Sequence, residues 1–172
     1  MEKSKNIKVV EATSKEELDR VRQLFREFVQ WHLQRNKEDI DLLGDYFGSV
    51  FEEELSTLPG KYAMPKGRLL LAYDNDQPAG CVALREIDKQ TCEMKRMFVN
   101  TNHHGRGVGR ALAEKIINEA RVIGYLTMKL DTSFRQVEAQ KLYQSMGFKK
   151  TKAYYKLPQK VENWLVFMEL KL

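Results

Sequence analysis

The chain has 172 residues, of which 42% are hydrophobic and 31% charged, a length and balance that suit one compact domain with a sizeable core and exclude a disordered polymer. Lys and Arg total 29 against 24 Asp and Glu, and the resulting net charge of +5 leaves a polyanion and a small phosphorylated molecule both open as partners. No apolar stretch approaches the roughly 20 residues of a membrane-spanning helix, and the charged start Met1–Asn6 leads into too short an apolar run for a secretory signal, so a cytoplasmic location without a membrane partner is expected.

In chain order, Ile7–Ala12 reads as a first strand. Thr13-Ser14 followed by Lys15-Glu16-Glu17 reads as a helix start, with a hydroxyl cap and acidic residues in the first turn. Leu18, Val21, Leu24, Phe25, Phe28, Val29 and Trp31 follow at helical spacing, which predicts a helix to about residue 34 with a core-packing face. A second amphipathic helix is predicted from about Tyr46 to Leu58, stopped by Pro59-Gly60. From Arg68 the pattern changes. Leu69–Tyr73 and Ala79–Glu86 are apolar runs on either side of the turn residues Asp74–Pro78, an antiparallel hairpin, and Ile87–Gln90 turns again into a strand from Cys92 to Val99.

A polar loop with three glycines, Asn100–Gly109, then opens a helix whose apolar face is Val108, Leu112, Ile116, Ile117, Ala120 and Ile123, ended by Gly124. Leu126–Asp131 is a further strand, Phe134–Met146 a helix, and Phe148 onward with Trp164–Leu170 the last two strands. The order is β-α-α-β-β-β-α-β-α-β-β, an α/β chain around a mixed, mostly antiparallel sheet flanked by helices. No linker or repeat interrupts it, so residues 1–172 are expected to form one domain. Trp164–Leu170 is expected at the sheet edge, where two copies could pair as a homodimer. Cys81 and Cys92 fall in alternating strands and are expected as small core residues. No Cys/His cluster has zinc spacing, and the adjacent His103 and His104 are poorly placed to chelate one ion, so no metal is expected.

The glycine loop carries the chemistry. A strand that leads through glycines into a helix N-terminus gathers unpaired backbone N–H groups, the helix dipole adds partial positive charge, and the missing side chains let a phosphate come close. Lys95, Arg96, His103, His104, Arg106 and Arg110 enrich the same stretch in positive charge, and Arg106 and Arg110 would supplement the backbone donors. A Walker loop would need Lys and Ser/Thr after the last glycine, where this chain has Arg110-Ala111. A dinucleotide fingerprint would need G-x-G-x-x-G inside a parallel βαβ unit, whereas the spacing here is G-x-G-x-G after a meander. A tight turn before a core helix remains the other reading of the loop by itself.

With its context, the loop resembles the GCN5-related N-acetyltransferase (GNAT) superfamily, whose pyrophosphate signature is Gln or Arg, two residues, Gly, one residue, then Gly or Ala. His104-Gly105-Arg106-Gly107-Val108-Gly109 has that register, with His104 in the Gln/Arg place. Gln136–Phe148 is similar to the second signature, Asn-x-x-Ala-x-x-Leu-Tyr followed by Gly-Phe, with Gln136 where Asn is commonest. The resemblance spans about residues 68–170. It implies a GNAT-like fold and acetyl-CoA as cosubstrate, held by the backbone of His104–Gly109, by Arg110 and Gln136, and along Met97, Phe98 and Val99 of the preceding strand, whose edge pairs with the pantetheine arm.

The same resemblance implies the roles. Tyr143 is the expected general acid, since a phenol with a pKa near 10 is protonated at neutral pH and matched to a departing thiolate. Oxyanion stabilisation is expected from a backbone N–H near the end of the Cys92–Val99 strand. Glu93 on that strand is the expected general base, with Asp131 as an alternative. The first two helices and the connection from Phe148 to Trp164 are expected to wall the acceptor site, with Trp31, Tyr46, Tyr62, Tyr154 and Tyr155 as candidates. The expected reaction is acetylation of a primary amine on a small molecule. A protein lysine or N-terminal amine, and a non-catalytic acyl-CoA-binding module, are the alternatives. A nucleic-acid partner is not expected, because the phosphates of the coenzyme account for the basic cluster.

Overall fold

The computed structural model describes residues 6–39, 41, 44 and 49–172. Strand β1 (Ile7–Glu11) precedes helix α1 (Lys15–Arg35), where Ser14 accepts from the backbone N–H of Glu17 and the Glu17 carboxylate accepts from the Ser14 N–H, a reciprocal capping box. Helix α2 (Ser49–Thr57) follows; the Tyr46 end of the predicted second helix lies outside the described residues.

The meander is β2 (Arg68–Asp74), β3 (Gln77–Glu86) and β4 (Thr91–Val99). Its first turn holds Asn75 and Asp76 at φ of 50° and 65°, the two left-handed residues that match the twist of a two-residue hairpin. Helix α3 (Val108–Ile123) buries Val108, Leu112, Ala113, Ile116, Ile117 and Ala120 and stops at Gly124 in left-handed conformation. Strand β5 (Thr127–Ser133), helix α4 (Val137–Ser145), β6 (Lys149–Thr151) and β7 (Leu165–Lys171) complete the chain. Helix α4 starts three residues later than Phe134, because β5 runs on to Ser133 and the Phe134 N–H is taken by the Trp164 carbonyl.

The seven strands lie in the order β1-β2-β3-β4-β5-β7-β6, and β4–β5 is the single parallel pair. The expected edge position of Trp164–Leu170 is corrected here. β7 runs between β5 and β6, with Lys149 opposite Glu169 and Thr151 opposite Phe167, so part of its outer side is already paired.

Alternation along the strands sends side chains to two cores. Leu70, Ala72, Val82 and Leu84 join α3 on one face, while Leu69, Leu71, Cys81 and Ala83 meet Val21, Leu24 and Phe25 of α1 and Leu55 of α2 on the other. Cys92 packs with the first cluster and Cys81 with the second, so the two thiols face opposite sides of the sheet and both are free. Burial raises both thiols, Cys92 to about 12, which leaves them inert packing groups at neutral pH.

Candidate functional site

Strands β4 and β5 pair only at Thr91–Thr127, Cys92–Met128 and Glu93–Lys129. Both continue, to Val99 and Ser133, without further ladder pairing to each other. A wedge therefore opens in the middle of the sheet, and one side of β4 beyond Glu93 is left with backbone groups available to a bound molecule.

Two cavities occupy the wedge. The outer one, about 370 Å³, is lined by Met97, Phe98 and Val99 of β4, by His104, Gly105, Gly107, Val108 and Gly109 of the loop, and by Gln136 and Tyr143. The inner one, about 70 Å³, is lined by His32 of α1, Lys95 and Arg96 of β4, Asp131 to Ser133 of β5 and Trp164. Phe28, Met97, Gln136 and Tyr143 line both, so they form the waist between them.

The loop owes its shape to two glycines. Gly105 and Gly107 have φ of 71° and 91°, where a side chain would be strained, and Gly107 is the N-cap of α3. The first turn of α3 therefore opens onto the outer cavity with its N–H groups unclaimed by a capping side chain. His104 ties the loop back to its strand, donating from Nε2 to the Val99 carbonyl at 2.8 Å.

The two arginines of the loop point elsewhere. Arg106 Nε sits 2.8 Å from Asp74, which also holds His103, while Arg110 meets Ser145 and Glu114; neither lines a cavity. What the cradle presents is therefore backbone N–H and helix dipole rather than guanidinium charge.

Of the residues expected to do chemistry, Tyr143 stands at the waist. It packs on Phe148 at 5.7 Å between ring centroids, and burial, with Asp131 second, raises its phenol well above the usual range. The ring is thus held protonated over the whole neutral range.

Glu93 does not line either cavity. Its side chain is 1% exposed, with Arg85 on Oε2 at 2.6 Å, and Lys95 at 3.2 Å and the Tyr154 hydroxyl at 3.1 Å on Oε1. Both oxygens are taken by donors. Asp131 is the carboxylate that faces the inner cavity, and its Oδ2 accepts from the Tyr155 hydroxyl at 2.7 Å. Of the aromatic candidates, Trp31 lines the outer cavity. Tyr62 is buried against Glu54, Tyr154 and Tyr155 serve the two carboxylates, and Tyr46 lies outside the described residues.

A polar residue without a sequence signal stands out at the inner cavity. His32 is 4% exposed, and its Nε2 lies 2.8 Å from the Gln136 side-chain nitrogen. Burial, then the charges of Arg35 and Arg96, lower its pKa to about 4, so the imidazole is neutral. The same Gln136 nitrogen lies 3.2 Å from Nδ1, so this amide meets both ring nitrogens. Asn36 lies 3.5 Å from Nδ1, and its Oδ1 is buried without a hydrogen-bond partner. The sequence reading passed over His32, since one histidine on an apolar helix face carries the same pattern as a core residue.

Among the described residues there is no group of three His, Cys, Asp or Glu that could hold a metal ion, and no helix is long and apolar enough to cross a membrane.

Comparison with known proteins adds kinship to this geometry. The family model for an acetyltransferase (GNAT) domain matches residues 65–150, which contain the meander, the glycine loop, α3, β5 and α4. An uncharacterized N-acetyltransferase of Schizosaccharomyces pombe is 34% identical over 100% of this chain and 99% of its own. Another from Dictyostelium discoideum is 30% identical over 96% and 99%. Among solved structures, the PaiA N-acetyltransferase of Thermoplasma acidophilum, in complex with coenzyme A, has a TM-score of 0.74 at 18% identity, covering 97% of this chain and 99% of that one.

Proposed function

The chain belongs to the GNAT acetyltransferase family, and from that premise we propose that its wedge transfers the acetyl group of acetyl-CoA to the primary amine of a small molecule by direct attack, with Tyr143 as general acid. The observation that carries this reading is the join of the two cavities at Tyr143. The outer one begins at an N–H cradle, the inner one is small, and the phenol stands between them. A structural relative of the same fold was solved with coenzyme A.

The residues divide the work as follows. Backbone N–H groups of the loop and the first turn of α3 hold the pyrophosphate. Met97–Val99 of β4 offer the pantetheine arm a strand edge, and a backbone N–H there stabilises the charge that develops on the carbonyl oxygen. The amine attacks from the inner cavity. As the C–N bond forms and the C–S bond breaks, Asp131 takes a proton from the amine, and Tyr143 gives one to the sulfur and is reprotonated from solvent. Glu93, with its donors already in place, anchors Arg85 and Lys95 beneath the bend of β4 rather than acting on the amine.

The volume of about 70 Å³ favours an unbranched primary amine at the inner end over a bulky one. Free-thiol release across a panel of small amines and peptides tests the reading. A small amine should release thiol with saturation, and Tyr143→Phe should lower turnover about a hundred-fold with acetyl-CoA affinity nearly unchanged. Unaltered turnover in Tyr143→Phe would remove the phenol from the mechanism. Turnover only with peptides would move the acceptor to protein amines.

A further inference from the structure

Strand β4 carries one residue more than β3 across the wedge. Cys81 faces Phe98 and Ala83 faces Lys95, so Arg96 and Met97 together stand opposite Val82. This is a β-bulge, and Arg96 absorbs it at φ of 56°. Arginine is a poor choice for that conformation, where Gly or Asn is at home. An arginine persists in such a place when contacts around it over-determine the backbone.

Those contacts come from α2. Arg96 Nε and Nη2 donate to Oε1 and Oε2 of Glu54 at 2.9 and 3.0 Å, a two-pronged pair with side chains 11% and 5% exposed. Glu54 also accepts from the Tyr62 hydroxyl at 2.8 Å and from Lys61 at 3.0 Å. Burial, the largest single influence, would raise the Glu54 carboxyl, but Arg96, Lys61 and Tyr62 together outweigh it and the pKa falls to about 2. The far side of the bulge is closed by Cys81, whose thiol lies 3.6 Å from the Arg96 carbonyl. Lys95, Arg96 and Met97 themselves line the inner cavity beside Tyr143.

The geometry points to Glu54 as a positioning residue: from outside the wedge it holds Arg96, and through Arg96 it fixes the bulge of β4 at the point where acetyl transfer takes place. The inference rests on the function proposed above. It makes α2 a brace for the reacting end of β4, while the glycine loop, which binds the other end of the same substrate, has a separate tie to Asp74 through His103 and Arg106. Loss of the brace should therefore harm turnover more than coenzyme affinity.

The test compares Glu54→Gln with Lys61→Met, which removes another of the Glu54 contacts while keeping the Arg96 pair. Each variant is assayed for kcat, for acetyl-CoA Kd by titration, for Tm, and for backbone amide exchange in the segment 94–99. Glu54→Gln should lower kcat roughly ten-fold or more and quicken exchange across the bulge by a similar factor, with acetyl-CoA Kd within about three-fold of the wild type. Lys61→Met should leave kcat and exchange unchanged.

Should Glu54→Gln fail to fold, Arg96→Gly serves in its place. It relieves the left-handed backbone but removes the pair, so kcat should still fall. Unchanged kcat and exchange in the folded variant would overturn the inference. The exchange measurement needs no substrate, so a wild-type enzyme that fails to turn over would count against the proposed function alone.

Discussion

His32 shows how burial sets the behaviour of one residue. A ring that is 4% exposed between Gln136, Phe28 and Trp31, under the charges of Arg35 and Arg96, keeps a pKa of about 4 against the ordinary 6.5. The unfolded chain binds a proton there first. Stability from this group is therefore fully present above pH 6.5 and is lost as pH falls toward 4. Between pH 7 and pH 5 the loss comes to about 2 kcal/mol. The carboxylates with lowered pKa, Glu54 and Asp39 among them, titrate below that window. Urea unfolding at pH 7 and pH 5 should show this loss in the wild type and much less of it in His32→Gln. An equal slope in both would remove His32 as its source. At this scale the sequence was legible where residue type and local spacing suffice, as for the left-handed turns at Gly105 and Gly107. It was not legible for His32 or Glu93, whose surroundings are set by partners such as Gln136, 104 positions away, and Tyr154, 61 positions away.

Element boundaries were readable where the chain punctuates itself. Ser14 and Glu17 open α1, Asn75-Asp76 turns the first hairpin, and Gly124 ends α3. They were less readable where tertiary pairing overrides a local pattern. Phe134 looks like the first apolar residue of a helix, yet its N–H pairs with the Trp164 carbonyl and the helix waits until Val137. Lys95-Arg96 followed by Met97-Phe98-Val99 breaks the alternation of β4 at its bulge, but only the β5 register shows where pairing across the wedge ends.

In the proposed function, coenzyme binding depends most on the start of α3. Gly107→Ala places a side chain at φ of 91°, at a cost on the order of 1–2 kcal/mol, and turns the cradle N–H groups away from their common focus. Titration should show acetyl-CoA affinity reduced ten-fold or so, by about 1.4 kcal/mol, with far-UV circular dichroism unchanged. Wild-type affinity in this variant would mean that the loop backbone does not hold the coenzyme.

For the whole molecule, the proposed function follows from an unfinished sheet. Two cores, one under α3 and one under α1 and α2, clamp both faces of the same strands, so the sheet tolerates a wedge between β4 and β5 without falling open. Family membership agrees with that architecture, and the N-terminal third supplies Phe28 and His32 at the inner cavity and Glu54 behind it. Those parts lie outside both sequence signatures, which explains why the glycine loop was legible before the structure and the inner cavity was not. The central claim is that this wedge is built around acetyl-CoA. Isothermal titration of acetyl-CoA into the wild-type chain measures it most directly. One saturable site per chain is the predicted result, and no saturable heat at millimolar acetyl-CoA would contradict it.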